Sequence, residues 1–190
     1  MTKKDIIIEH AIELFQKNGI DKTTVSQIVQ AGNMAQGTFY LYFPSKMSLM
    51  PAIAEEMVKI MMNEIKMNVS MDDPISEQIE SIVDSIFSVN KQYSELLAMI
   101  YTGLSQTEHL KEWETVYEPC YEWIMQVIKR GQKAGVIQSK LPADQSAKLL
   151  IGLVESGAEQ VFLYAHTNER EINNQKQAVK KFLFNALLIK

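Results

Sequence analysis

The side chains with the most recognition chemistry at close spacing lie between positions 24 and 46: Thr24, Gln36, Thr38, Tyr40, Tyr42 and Lys46. They are hydroxyls, one amide and one ammonium, so what they offer is hydrogen bonding and charge. The Gln36 amide both donates and accepts, as an adenine edge requires. Thr38 can bond a phosphate or lie against a thymine methyl. Gly37, between them, lets a backbone come close to a partner, and Ala35 leads into the group. Such a set reads a nucleic-acid duplex only if a rigid element carries it into a groove.

The surrounding sequence supplies that element. Ile7, Ala11, Leu14 and Phe15 follow the spacing of an amphipathic helix, closed by Asn18-Gly19. Thr23-Thr24 starts a short second helix running to Ala31, with Val25, Ile28 and Val29 facing inward. Gly32-Asn33 makes a turn, since both residues tolerate positive φ. A third helix is predicted from Ala35 to Tyr42. Pro44-Ser45 then breaks the chain, and Ser45 caps a fourth helix reaching Met67. Two short helices joined by a tight turn form a helix-turn-helix, which lays its second helix in the major groove with its N-terminal residues on base edges. Those residues are Ala35, Gln36, Gly37 and Thr38. Thr24 and Lys46 each fall at a helix start, where free N–H groups favour a phosphate. Other readings exist for several of these. Phe39 and Phe43, four apart, pack the three helices together. Thr24 is a cap in any reading, Tyr40 also fits half-buried packing, and Lys46 also fits a solvated helix start.

The order Thr23-Thr24-Val25-Ser26-Gln27-Ile28, then Gly37-Thr38-Phe39-Tyr40-Leu41-Tyr42-Phe43, then Lys46, resembles the DNA-binding head of the TetR family of bacterial transcriptional regulators. With Leu14-Phe15 and Gly19 before it and Leu49 after it, the resemblance covers nearly all of residues 6 to 50. It implies that the Tyr40 and Tyr42 hydroxyls touch phosphates. It further implies an all-α fold, a head over 1–47, and a body over 48–190 that dimerises and holds an effector pocket. Asn33 stands where many relatives have glycine, and Pro44 and Met47 where many have a basic residue or glutamate. The third helix carries no arginine or lysine, so modest affinity, a shallow salt dependence and reliance on a dimer over two half-sites are expected. Lys46→Ala should then weaken binding evenly across sequences, and Gln36→Ala should relax preference at one position.

Beyond the head, helical patterns run from Pro74 to Asn90, Ser94 to Tyr101, Leu110 to Ala134, Ala143 to Ala165 and Glu171 to Leu188, making about nine helices in all. Two apolar stripes are candidates for a dimer face, through Leu153, Gly157 and Val161 and through Val179, Phe182, Leu183 and Ala186. In this family the last two helices usually form a four-helix bundle across a twofold axis, although part of each stripe must bury in its own chain. Candidate pocket residues are Met57, Met61, Tyr93, Met99, Tyr117, Cys120, Tyr121 and Glu155, with Tyr101 and Trp123 beside them. Methionine and flat aromatic faces suit an apolar ligand, and they suit ordinary core packing too. Glu155 interrupts the apolar run Leu149 to Val154, and a buried carboxylate needs a partner. It fits either a cationic ligand or a half-exposed rim of a dimer. The aromatic, acidic body is faintly similar to the multidrug-sensing, QacR-like members of the family. A lipophilic cation and a neutral apolar effector such as a fatty-acyl compound are both open.

Composition is consistent with this reading. Residues 1–49 hold five lysines against four acids, a charge of +1, whereas the remainder carries −5 of the net −4. One cysteine, Cys120, excludes an internal disulfide and suits a reducing compartment. No apolar run approaches a membrane span, so a cytoplasmic protein is expected. His10, His109 and His166 have no metal-ligand spacing, and neither a cofactor nor an enzymatic role is expected. The expected function is a ligand-responsive regulator, most simply a repressor that binds a palindromic operator as a homodimer and is released by a small effector. An activator of the same fold, or a helical adaptor without DNA reading, is the alternative.

Overall fold

The computed structural model describes residues 1–104, 113–164 and 168–187. Among them lie nine α-helices and no strand: α1 Lys3–Asn18, α2 Val25–Ala31, α3 Gln36–Tyr40, α4 Met50–Asn68, α5 Ile75–Gln92, α6 Ser94–Leu104, α7 Trp113–Lys133, α8 Ala143–Phe162 and α9 Glu169–Leu187. A 3-10 turn over Met47–Leu49 leads into α4. The helix start expected at Leu110, the ends expected at Ala165 and Leu188, His109, His166 and the side chain of Tyr101 lie outside what is described. No described helix is long and apolar enough to cross a membrane.

The chain divides into two compact units. The first comprises Met1–Met57 with α6 from Glu95 onward, and the second comprises Val58–Ser94 with the chain from Trp113. Helix α4 passes from the first unit into the second at Met57–Val58.

In the first unit, local bonds define the helix ends. Thr2 and Asp5 form a capping box on α1, with Asp5 N–H donating to Thr2 Oγ1 at 3.2 Å and Thr2 N–H donating to Asp5 Oδ2 at 2.7 Å. Gly19, at φ 78°, ends α1 and donates its N–H to the Phe15 carbonyl. Ile7, Ala11, Phe15, Ile28 and Phe39 are fully or almost fully shielded and form the core on which α2 and α3 sit. Leu14 and Val25, expected inward, are only half-buried, while Ile8 and Ile12 take up the core face of α1.

The α2–α3 turn divides its work between two residues. Asn33 carries the positive φ, at 53°. Gly32 has an ordinary φ of −84°, so left-handed backbone is not what it contributes. A Cβ there would stand 2.7 Å from the Met34 Cε and 2.9 Å from the Ile6 Cγ2. Close approach of α2 to α1 accounts for the glycine.

In the second unit α8 packs against α5, α7 and α9, and α5 also meets α7 and α9. Ile79, Ile82, Val83 and Ile86 from α5, Ile124, Val127 and Ile128 from α7, and Ala147, Ile151 and Val154 from α8 make the core. Helix α9 is held on α5 by charge as well. Lys180, itself buried, donates to Asp84 Oδ2 at 2.8 Å and to Glu80 Oε2 at 3.3 Å, and Lys176 lies 3.0 Å from Asp84 Oδ1. Burial acts to raise the Asp84 pKa, but the hydrogen bonds and positive charges of Lys180 and Lys176 together outweigh it and hold the carboxyl below its ordinary value.

Candidate functional site

The residues expected to read a duplex lie together on α2, α3 and the segment that follows. Thr24 is the N-cap of α2, and Gln27 completes a second capping box: Gln27 N–H donates to Thr24 Oγ1 at 3.2 Å and Thr24 N–H donates to Gln27 Oε1 at 2.8 Å. Thr23, adjacent in sequence, does something different. It is fully buried, and its hydroxyl donates to the Gly19 carbonyl at 2.8 Å, with the Leu14 carbonyl 3.2 Å away. The sequence pairs two like residues, one of which caps forward while the other ties back to α1.

Helix α3 is shorter than its predicted span. Its N-cap is Ala35, and Tyr42 falls beyond its last residue, Tyr40. The Tyr42 N–H still donates to the Phe39 carbonyl at 3.0 Å, so the backbone keeps turning without a full helical repeat. Ala35, Gln36 and Gly37 are exposed and Thr38 is half-exposed. Nothing of the protein lies within 4 Å of where a Gly37 Cβ would stand, so packing does not require the glycine. Its missing side chain leaves room on the outward face. Beneath that face Phe39 and Phe43 are buried with ring centroids 5.6 Å apart. Tyr40 and Tyr42, on the same segment, are 53% and 42% exposed. The half-buried alternative for Tyr40 does not hold, although its ring edge meets Phe39.

Lys46 is placed where the sequence alone could not put it. Its ammonium donates to the backbone carbonyls of Ile20, at 2.5 Å, and Thr23, at 2.9 Å. Ser45, expected to cap the fourth helix, instead closes the 3-10 turn: Ser48 N–H donates to Ser45 Oγ and Ser48 Oγ donates to the Ser45 carbonyl.

The body residues separate. Met57 and Met99 belong to the first unit, the former buried and the latter half-buried. Met61, Tyr93, Tyr117, Cys120, Tyr121 and Glu155 belong to the second. Of these, Tyr117 and Glu155 are brought together: the phenol donates to Glu155 Oε1 at 2.7 Å, joining α7 to α8. The Tyr117 ring stacks on Tyr121 at 5.8 Å, and the Lys148 ammonium lies 5.2 Å above the Tyr121 ring. Glu155 as a residue is half-buried, but its carboxyl is enclosed by protein. That burial pushes its pKa from 4.5 up to about 7; the Tyr117 hydrogen bond opposes the shift and the Glu159 carboxylate adds to it. Cys120 is fully buried and pushed up to about 12, first by burial and then by Glu155, which leaves it an inert thiol.

The expected dimer residues also divide. Gly157, Val161, Val179 and Leu183 are buried within their own chain. A Cβ on Gly157 would stand 2.6 Å from Val179 Cγ2, so this glycine lets α8 meet α9 of the same chain. Leu153, Phe182 and Ala186, by contrast, line an open apolar groove of about 270 Å³ with Leu149, Leu150 and Leu183. Leu149 and Phe182 are 73% and 63% exposed, and Gly152 beside them faces open space. Neither Leu149 nor Gly152 stood out in the sequence. A leucine four residues before Leu153 was the available signal.

Two family models match the chain: bacterial regulatory proteins of the tetR family over residues 7–53, and the tetracyclin repressor-like C-terminal domain over residues 79–187. The chain is 30% identical over 185 residues to YvdT, an HTH-type transcriptional regulator of Bacillus subtilis strain 168, covering 97% of this chain and 95% of that one. Its fold is similar to that of the fatty acid degradation regulator FadR from Bacillus halodurans, with a TM-score of 0.75 at 20% identity over 100% of this chain and 98% of the other. It is also similar to FadR from Thermus thermophilus, a transcriptional repressor in complex with lauroyl-CoA, with a TM-score of 0.73 at 17% identity over 99% and 96% of the two chains. At these identities the structural likenesses speak for the fold alone.

Proposed function

The chain belongs to the TetR family of bacterial regulatory proteins, and on that premise we propose that it is a cytoplasmic, homodimeric repressor released from a palindromic operator by a lipophilic effector. The observation that carries the DNA-reading part is the outward face of α3. Ala35, Gln36 and Gly37 stand exposed there on a base of buried Phe39 and Phe43. An exposed amide beside a glycine with clear space, held by a rigid core, is what direct reading of base edges requires. Thr24, Tyr40 and Tyr42 flank it as the phosphate-facing set.

Dimerisation is supported by the groove between α8 and α9. Large exposed side chains such as Leu149 and Phe182, set beside Gly152, form a face that a second copy would cover. The contact would centre on Leu149, Gly152, Leu153, Phe182 and Ala186, with Gly157, Val161 and Val179 supporting it from within. Repressor action is favoured over activation by the likeness to IcaR of Staphylococcus aureus, a negative transcriptional regulator 34% identical over 113 residues, 55% of this chain.

The effector is proposed to bind in the body near Tyr117 and Glu155. A titratable carboxyl enclosed beside two stacked tyrosines favours a ligand with an apolar body and a cationic or hydrogen-bond-donating group. The lauroyl-CoA complex of the Thermus fold relative favours an acyl thioester as the second candidate. Because α4 runs from one unit into the other, an effector that shifts it would change the spacing of two heads, which must match about 34 Å per turn of duplex.

Fluorescence-anisotropy titration of the full chain against duplex from upstream of its own coding region tests this at several salt concentrations. Tight, palindrome-dependent binding that Gln36→Ala weakens at one base position is the expected result. Binding indifferent to sequence and to Gln36 would remove the regulator reading of this head. Added acyl-CoA or lipophilic cation then identifies the effector class by which one releases the probe.

A further inference from the structure

We propose that Lys46 is a positioning residue: it locks the α1–α2 connection to the chain entering α4, and it strengthens DNA binding through that lock rather than as a counter-charge to a phosphate. The inference rests on the DNA-binding reading above and assigns this lysine a different role within it.

The geometry is specific. The two carbonyls that Lys46 holds belong to residues 26 and 23 positions earlier in the chain. The bonds therefore close a loop whose contents are α2, its turn and α3, the whole reading unit. Ile20 lies just beyond the end of α1, and Thr23 directly precedes the N-cap of α2. The Ile20 carbonyl also accepts the Thr23 N–H at 3.3 Å, closing the turn between α1 and α2, and a cationic donor adds a charge-assisted bond to each of the two carbonyls. Thr23 is fixed from its other side as well, because its buried hydroxyl donates to the Gly19 carbonyl. The connection is thus held by the Thr23 hydroxyl on carbonyls of α1 and its cap, by its own Thr23–Ile20 backbone bond, and by two bonds from Lys46.

An ammonium has three N–H donors, and two of these point at protein carbonyls. That leaves one donor for anything outside. A side chain committed in this way keeps its place whether or not a duplex is present, and what it fixes is the angle at which α2 and α3 are offered together. The hydrophobic core under them, Ile28 and Phe39, is complete without it. Removing the ammonium is therefore expected to loosen the presentation of the reading helices without unfolding the head.

The two roles differ in their dependence on salt. A lost phosphate contact flattens the slope of log affinity against log salt by about 0.9 per contact. A lost lock weakens binding equally at every salt concentration and leaves the slope alone. The experiment titrates wild type, Lys46→Ala and Lys46→Met with the operator duplex over a range of potassium chloride, well below the melting temperature of each, with folding checked by circular dichroism. Both variants are expected to bind roughly tenfold more weakly along lines parallel to wild type, as loss of charge-assisted bonds implies. A flatter slope in the variants overturns the proposal in favour of a counter-charge. Unchanged affinity with a lower melting temperature, or unfolding of both variants, overturns it in favour of a role in the fold alone. Failure of the wild-type chain to bind any duplex would instead count against the regulator reading itself.

Discussion

The head and the body of this chain make their polar contacts over very different distances in sequence. In the head, Thr2–Asp5, Thr24–Gln27 and Ser45–Ser48 are all bonds between residues three apart. In the body, Tyr117 reaches Glu155 across 38 positions, Lys91 reaches Glu169 across 78, and Lys180 reaches Asp84 and Glu80 across 96 and 100. The head is a motif in which the starts of α1 and α2 are settled by capping boxes of their own residues, with Lys46 as a long-range tie. The body also caps α9 locally, through Asn168 and Glu171 three residues apart, but it adds bonds and ion pairs that tie one helix to another far along the chain. A function that requires one fixed geometry, reading a duplex, is thereby carried by the part with the most local determination. On the proposed function, response to an effector would be carried by the part whose polar groups are coupled over long range.

Separating the two copies of the proposed dimer should produce the largest effect. Phe182→Glu places a charge on an exposed position of the α8–α9 groove, so each chain should still fold. Sedimentation should report a monomer, and operator affinity should fall by about a hundredfold or more, since two linked heads gain that much from binding together. A variant that remains dimeric would show that the groove is not the interface.

The next effect concerns the enclosed carboxyl. Between pH 4.5 and about 7 the folded chain keeps a proton on Glu155 that the unfolded chain has released. Stability from this group is therefore complete below pH 4.5, declines as pH rises through the window and is absent above it. The span from 4.5 to about 7 corresponds to roughly 3 kcal/mol. Glu155→Gln is neutral throughout and still accepts from Tyr117, so it should remove this pH dependence and exceed wild type in stability at pH 8. Melting curves from pH 5 to 8 check it, and parallel pH profiles for the two proteins would show that the carboxyl is not enclosed in solution.

The smallest expected change lies in the head. Thr24→Ala deletes one side of a capping box and should cost about 1 kcal/mol, because a cap is a local contribution with no distant partners. Hydrogen exchange should register the loss in the first turn of α2 and leave α5, α8 and α9 as they were. Loss of protection spreading into the second unit would erase the contrast between the two regions.

The sequence by itself determined the all-helical class, the α1–α2–α3 unit and the outward set of Ala35, Gln36, Gly37 and Thr38. It did so because caps, turns and apolar periodicity act between residues a few positions apart, and such spacings can be read directly. Helix ends erred by a few residues where a cap was ambiguous, as at Ser45, whose partner proved to be a 3-10 turn rather than α4. Tertiary structure alone decided the role of Gly157, which the α8 stripe offered equally to a partner chain and to its own. Only the position of Val179 against it gives the answer. The same holds for Glu155, whose anomaly was visible but whose partner, Tyr117, was not, and for Lys46, whose two carbonyl partners carry no side-chain signature at all. Backbone acceptors and pairs made across helix packing leave no periodic trace in a sequence, so their geometry appears only when the chain is folded.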